Sequence, residues 1–128
     1  MRDYYVFDSP LYNVRTQIKS VTISDEVTTI GSYVFYRCSA LTPITIPGGV
    51  TTIGNSAFYG CRSLESITIP SSVTELGEGA FMSCLSLTAV EFESGSTITT
   101  ISKSLFGSCF KLSEINIPES VMTIDEAA

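Results

Sequence analysis

Residues 50–72 read VTTIGNSAFYGCRSLESITIPSS, and near copies of this stretch lie on both sides of it. Residues 27–49, VTTIGSYVFYRCSALTPITIPGG, match it at 13 of 23 positions. Residues 73–97 keep the frame with two extra residues near the end, and residues 98–120 return to 23. Partial units lie at 18–26 and 121–128. A fixed period of this length predicts a repeat protein in which each coil packs only on its neighbours.

The end of each unit, x-x-I-x-I-P, has the alternation of apolar and polar residues that is typical of a half-buried strand. The proline that follows lacks an N–H group, so it ends the strand and turns the chain. Strands of this kind, stacked about 4.8 Å apart, predict a parallel sheet along one side of the column. Their expected inward residues are Ile44 and Ile46, Ile67 and Ile69, Val90 and Phe92, and Ile115 and Ile117.

The start of each unit, V-T-x-I-G, supplies two more inward residues and then a glycine, for which we expect a left-handed turn. These glycines are Gly31, Gly54 and Gly77, and Ser102 takes the same position in the last full unit. Asn55 follows Gly54 as a capping-type residue before small side chains, which predicts one short helical turn per coil. We expect one phenylalanine per unit to form a column of rings in the core: Phe35, Phe58, Phe81 and Phe106.

Three segments, V-T-x-I-G, A-F-x-x-C-x-S-L and x-x-I-x-I-P, are clearest in residues 50–70. This pattern resembles the BspA-like leucine-rich repeat, and the resemblance covers residues 18–125. It implies an α/β leucine-rich-repeat solenoid that is right-handed and β-rich, with a parallel strand column, short helical turns and about five coils of 23 residues. The expected repeat domain is 18–128, with units at 18–26, 27–49, 50–72, 73–97, 98–120 and 121–128.

Residues 1–17 lie off the repeat pattern and are rich in aromatic side chains: Tyr4, Tyr5, Phe7 and Tyr12. We interpret this segment as a cap whose rings cover the open end of the core, because the apolar core residues there would otherwise be exposed to water. The alternative is an exposed aromatic contact site. No terminal repeat with a polar outer face is evident, so we expect the sequence to be a segment of a longer protein. Residues 1–5 do not resemble a signal peptide.

Charge is spread unevenly along the chain, whose formal net charge is −6. Residues 1–64 hold five Lys/Arg and four Asp/Glu, whereas residues 65–128 hold two and nine. This balance argues against a nucleic-acid partner, because phosphates require a basic surface. The carboxylates either keep the protein soluble or face a basic partner. No apolar run of 18 or more residues is present, so no membrane insertion is expected.

The four cysteines recur once per unit, at Cys38, Cys61, Cys84 and Cys109. A column of four coils spans roughly 14 Å, whereas zinc requires four sulfurs each about 2.3 Å from one point. Parallel side chains also do not bring neighbouring sulfurs into disulfide geometry. We therefore expect free thiols that act as small apolar core residues, and neither a metal nor a cofactor.

Catalytic residues are scarce, because the chain has no histidine, the commonest general base. Its glycines recur as repeat turns and do not cluster in a phosphate-binding loop. A carboxylate pair such as Glu91 and Glu93 has the residue types of a glycosidase acid and base, but such pairs more often lie on a solvated face. We expect a non-enzymatic protein.

The resemblance implies a cell-surface or secreted protein that adheres to a host or microbial macromolecule. Outward strand positions are the expected contact surface because they are small and polar, although plain β-formers facing water give the same pattern. The candidate contact residues are Thr22, Thr45, Ser66, Thr68, Glu91 and Asn116. A second candidate surface is the rim that carries Tyr36 and Tyr59.

We expect an extracellular partner, a protein or a glycan, bound by a chain that itself lies outside the cell or on its surface. Alternatives are a structural spacer in a larger surface protein and a substrate-holding module attached to a catalytic domain elsewhere. Exposed coil ends also predict end-to-end self-association, since unpaired strand edges attract partners.

Overall fold

The computed structural model describes residues 11–128, and the predicted cap residues Tyr4, Tyr5 and Phe7 lie outside that range. The described chain winds into a β-solenoid of about four turns with about 23 residues per turn. Its strands are short: β1 (Thr29–Ile30), β2 (Thr52–Ile53), β3 (Ser66–Ile69), β4 (Glu75–Leu76), β5 (Ala89–Phe92), β6 (Thr100–Ile101), β7 (Glu114–Ile115) and β8 (Thr123–Ile124).

All strand pairs are parallel and join equivalent positions of successive units. On the V-T-x-I-G side the sheet has the order β1-β2-β4, and β6 pairs with β8 beyond a break in the ladder. On the x-x-I-x-I-P side the order is β3-β5-β7, with Ser66 opposite Ala89 and Thr68 opposite Glu91. The 23-residue period therefore sets the register, as the sequence predicts.

The prediction of short helical turns is wrong, because residues 11–128 contain no helix. Amides of residues 56–60 alternate between two kinds of partner. Ala57 and Tyr59 bond carbonyls three residues back in the chain, whereas Ser56, Phe58 and Gly60 donate to the next coil. Ser56 and Gly60 also have left-handed φ angles of 52° and 71°. A helix needs consecutive amides bonded within the segment, so pairing with the next coil excludes it.

Hydrogen bonds join successive coils on two sides of the column. On the V-T-x-I-G side the parallel strands pair, and the Thr74 amide donates a 2.8 Å bond to the Thr51 carbonyl of the preceding coil. Along the turns the earlier coil donates to the later one, as in the 2.8 Å bond from the Phe58 amide to the Ala80 carbonyl. Both sides therefore tie each coil to the next.

The expected five coils are also too many. Four complete units, 27–49, 50–72, 73–97 and 98–120, form the turns, and the flanking segments add only parts of turns. Residues 121–128 follow the V-T-x-I-G side, where β8 pairs with β6. Within the described chain, no coil therefore follows β7. Ile115 is only partly buried, and Ile117 is 41% exposed, although both were expected to point inward.

Glycine is required after the V-T-x-I segment, but not for a left-handed turn. Among residues 11–128, the glycines with positive φ are Gly60, Gly79 and Gly95, and Gly54 and Gly77 are not among them. A Cβ on Gly77 would lie 2.4 Å from the Asn55 backbone nitrogen, and one on Gly54 would lie 2.4 Å from the Ser32 nitrogen. Close stacking of coils is therefore the reason for glycine. The ladder breaks between β4 and β6, the step at which Ser102 replaces the glycine.

The core contains the predicted ring column. Ring centroids of Phe35 and Phe58 lie 5.1 Å apart, those of Phe58 and Phe81 5.2 Å, and those of Phe81 and Phe106 5.9 Å, all in stacked geometry. The inward strand residues of the first three full units are buried around it, as expected: Ile44, Ile46, Ile67, Ile69, Val90 and Phe92. Residues 11–128 include no helix long and apolar enough to span a membrane.

Candidate functional site

The six predicted contact residues are all exposed and lie along one surface, which we call the strand face: Thr22, Thr45, Ser66, Thr68, Glu91 and Asn116. Ser66 and Thr68 are on β3, Glu91 is on β5, and Asn116 follows β7 directly. Thr68 and Glu91 are register partners, so they are direct neighbours across the sheet. Thr22 and Thr45 precede β3 in chain segments that are not strands.

Proline explains why the ladder of the strand face starts only at β3. Pro43 occupies the position equivalent to Ser66 and Ala89, and it has no N–H group to donate. Ile44 and Ile46 remain buried, so the segment keeps its inward side without strand pairing. A groove of about 410 Å³ lies between this segment and β3, lined by Thr45, Ser66 and Thr68 among others. A second groove of about 360 Å³ contains Thr22 and Thr45.

The strand-face side chains differ from several other polar side chains because they make no hydrogen bond to a neighbouring coil. Several hydroxyl groups elsewhere donate to carbonyls of the preceding coil, as Thr51 does to Thr28, Thr88 to Glu65 and Ser63 to Ser39. Within residues 11–128, none of the six strand-face side chains makes such a bond. Their donors and acceptors therefore remain available to a ligand, and the sheet holds the backbone of Ser66, Thr68 and Glu91 in place.

Electrostatically, the strand face runs from neutral to acidic. Its early positions are the hydroxyl residues Thr22, Thr45, Ser66 and Thr68. Glu91 and the outward Glu114 on β7 follow, and Glu93 comes directly after β5. The Glu93 carboxylate accepts a 2.9 Å hydrogen bond from the Ser71 amide, so it holds the longer loop of the third unit against the preceding coil.

The cysteine column is structural, and the prediction of free buried thiols is confirmed. Cys61 donates to the Phe35 carbonyl at 3.3 Å, and Cys84 and Cys109 repeat the pattern one and two coils later. Burial raises the pKa of the Cys38 thiol to about 11, against the opposing effect of Arg15. Burial also raises the pKa of the other three thiols. Protonated, enclosed thiols of this kind are poor nucleophiles.

Two further concave features lie away from the strand face. A groove of about 490 Å³ runs along the V-T-x-I-G side and contains Thr52, Glu75 and Thr100. A recess of about 290 Å³ among the turns is lined by Arg15, Arg37 and Arg62 together with Tyr59. The second tyrosine of the predicted rim, Tyr36, stacks on Tyr59 with ring centroids 5.0 Å apart. In residues 11–128, no group of three His, Cys, Asp or Glu residues is placed to hold a metal ion.

The sequence did not predict this arginine recess. Arg37 precedes the cysteine of its unit and Arg62 follows the cysteine of the next, so the two do not share a repeat position. A signal was nevertheless present, because four of the five basic residues of the first 64 fall between residues 15 and 62. Stacking of successive coils brings these side chains together.

Comparison with known proteins agrees with this architecture. The family model of the BspA-type leucine-rich repeat region matches in six copies over residues 7–128. The match begins within residues 1–17. The assignment of these residues as a separate cap stays a prediction. No curated protein matches the sequence.

Solved structures of bacterial leucine-rich repeat proteins are also similar. A leucine-rich cell surface protein from Faecalibacterium prausnitzii is 34% identical over 98% of this chain, with a TM-score of 0.82. A leucine-rich repeat protein from Bacteroides ovatus is 32% identical over 81% of the chain, with a TM-score of 0.62. The T. pallidum leucine-rich repeat protein is 29% identical over 85%, with a TM-score of 0.59. This chain spans only 32%, 33% and 61% of their respective lengths.

The repeat units, their parallel stacking and the match over residues 7–128 lead to one conclusion: the chain belongs to the BspA-type leucine-rich repeat family.

Proposed function

We propose that this chain is a non-enzymatic scaffold that binds an extracellular protein or glycan through its strand face. It would serve in an adhesion-type protein that is secreted or displayed at the cell surface. The similarity to a leucine-rich cell surface protein of Faecalibacterium prausnitzii supports the location. The family is built of repeats that act as scaffolds, which supports a binding role without catalysis.

One observation carries the choice of surface: the unused hydrogen-bonding groups of the strand face. Thr51, Thr88 and Ser63 use their hydroxyl groups to hold neighbouring coils together. The strand-face side chains contribute no such bond, and Ser66, Thr68 and Glu91 among them stand on paired strands. A rigid row of small polar side chains beside open grooves accommodates a ligand at little cost in conformational entropy.

The test is binding to a panel of extracellular-matrix proteins and glycans, measured on monodisperse protein. The variant Thr45→Lys/Thr68→Lys/Glu91→Lys places three long cations on the strand face without touching the core. It should lower affinity at least about tenfold, because the new side chains fill the contact surface and change its charge. Thermal melting should show that the variant remains folded.

The matched control is Glu78→Lys/Thr97→Lys/Thr123→Lys, which makes the same charge change at three exposed positions outside the strand face. It should bind as the parent does. Equal loss of affinity in both variants would indicate a general charge effect, and full affinity in the strand-face variant would place the site elsewhere. A panel without saturable binding would contradict the binding role and favour a structural spacer.

A further inference from the structure

The arginine recess is a second candidate binding surface, separate from the strand face. It lies among the turns and has a volume of about 290 Å³. Arg15, Arg37 and Arg62 line it, so the N-terminal segment and the first two full units each contribute one guanidinium group. Ser39 and Ser83 add hydroxyl groups. None of these residues belongs to the strand face.

Among residues 11–128, no carboxylate forms an ion pair with these arginines. Within residues 11–128, the one ion pair joins Lys103 and Glu126, far along the chain from the recess. The Arg15 guanidinium lies over the Tyr12 ring at 3.9 Å, and its Nη1 donates to the Tyr12 carbonyl. Its Nε is buried without a hydrogen-bond partner. A buried guanidinium N–H usually has a partner, since leaving it unpaired is costly. The site therefore has donors in excess of acceptors.

Arg37 lies at a left-handed position of the turn that recurs in every full unit. Its φ angle is 56°, a left-handed conformation that is costly for a residue with a Cβ. The next coil has Gly60 at the equivalent position, also left-handed, and a Cβ there would lie 3.2 Å from the Arg37 Cγ. Glycine in the second coil thus leaves room for the arginine stem of the first.

We propose that the recess binds the carboxylate or sulfate group of an acidic saccharide. Guanidinium groups match such oxyanions through paired N–H donors. Hydroxyl groups of Ser39 and Ser83 and the ring of Tyr59 suit the rest of a sugar. The volume is at the lower end of ligand pockets, which fits one or two sugar units. Nine acidic residues in the second half of the chain disfavour long polyanions by repulsion.

Calorimetric titration with a sulfated disaccharide and with a uronic acid disaccharide tests the proposal. The variant Arg37→Gln/Arg62→Gln removes two exposed cations and leaves the core intact. It should weaken binding of at least one disaccharide about tenfold or more, since each charge-assisted hydrogen bond contributes substantially. Binding should also weaken between about 50 mM and about 300 mM NaCl, because salt screens exposed charges.

Two controls separate the recess from other effects. Lys19→Gln/Lys111→Gln removes the same charge at exposed positions outside the recess and should leave affinity within about twofold, as expected for general screening. The strand-face variant Thr45→Lys/Thr68→Lys/Glu91→Lys should also bind the disaccharide, so failure of one proposal does not decide the other. Equal loss in the lysine control would overturn the recess as the site.

The chemistry of the ligand has its own controls. Inorganic sulfate and a short polyglutamate peptide are titrated alongside the disaccharides. If sulfate binds as tightly as the sulfated disaccharide, the sugar ring contributes nothing and the saccharide assignment fails. Preference for the peptide would identify the recess as a protein contact instead. No saturable binding of either disaccharide would overturn the proposal.

Discussion

The thiol of Cys84 donates a hydrogen bond to the carbonyl oxygen of Phe58, 3.3 Å away in the preceding coil. Only the protonated thiol can donate this bond. Burial raises the pKa of all four cysteines above the ordinary value of 9.0. The folded chain therefore keeps four protons that the unfolded chain releases in mild alkali.

Stability should accordingly fall in alkaline solution. It is unaffected by the thiols below pH 9.0, and it declines toward about 11, the folded pKa of Cys38, because the unfolded thiols ionise first. Each thiol lowers the free energy of unfolding by about 1.4 kcal/mol per pH unit in that window. The slopes of the four thiols add, each between its unfolded and its folded pKa. Urea unfolding at several pH values measures the slope.

The control for this effect is Cys84→Ala, which should lose about a quarter of the alkaline slope because one of four protons is gone. Its stability at neutral pH should drop by about 1 kcal/mol through loss of the buried thiol. A slope identical to that of the parent would show that the thiols do not cause the alkaline loss.

Gly77 should tolerate no side chain. A Cβ there meets the Asn55 nitrogen at 2.4 Å, and the contact is backbone on both sides, so neither can move without separating the coils. We expect Gly77→Ala to lower the free energy of unfolding by about 2 kcal/mol or more. Gly48→Ala is the matched control, since nothing lies within 4 Å of its Cβ position and its φ is not left-handed. Chemical denaturation should find the control within about 0.5 kcal/mol of the parent.

Large apolar side chains are exposed where the described column finishes. Phe110 is 84% exposed, Met122 85% and Ile124 64%, and the edge of β8 has no following strand within residues 11–128. We expect the isolated chain to self-associate through this end with a concentration-dependent dimer. Met122→Glu/Ile124→Glu should shift it to the monomer in sedimentation experiments. Ser94→Glu/Thr97→Glu adds the same charge on another exposed segment and should leave the dimer unchanged.

Regular features were predictable from the sequence because a single coil determines them. Alternation placed Ile67 and Ile69 in the core, and the period placed Phe58 under Phe81. The turn was not predictable, because Asn55 and the small residues after it look like the start of a helix. Hydrogen bonds to the following coil, invisible in one unit, decide its conformation.

The sequence correctly identified Gly54 and Gly77 as required glycines, but the predicted left-handed turn was the wrong reason. The sequence marks them as necessary, but only the stacked structure shows that a neighbouring backbone excludes a Cβ. Exposure of the strand face followed from the same alternation, and its use in binding remains a prediction. The arginine recess could not be predicted from the sequence, because its residues occupy different repeat positions and come together only when coils stack.

Hydrogen bonds between coils recur at equivalent positions of successive units, so one coil edge is the complement of the next. Each 23-residue unit can consequently pack on a neighbour through the same set of backbone hydrogen bonds. Duplicating or deleting a whole unit leaves the amides of the remaining coils paired, whereas a fractional insertion must be absorbed in a loop. The two extra residues of unit 73–97 precede the gap in the ladder between β4 and β6. Duplication of whole units can therefore lengthen such a protein while its core packing stays the same.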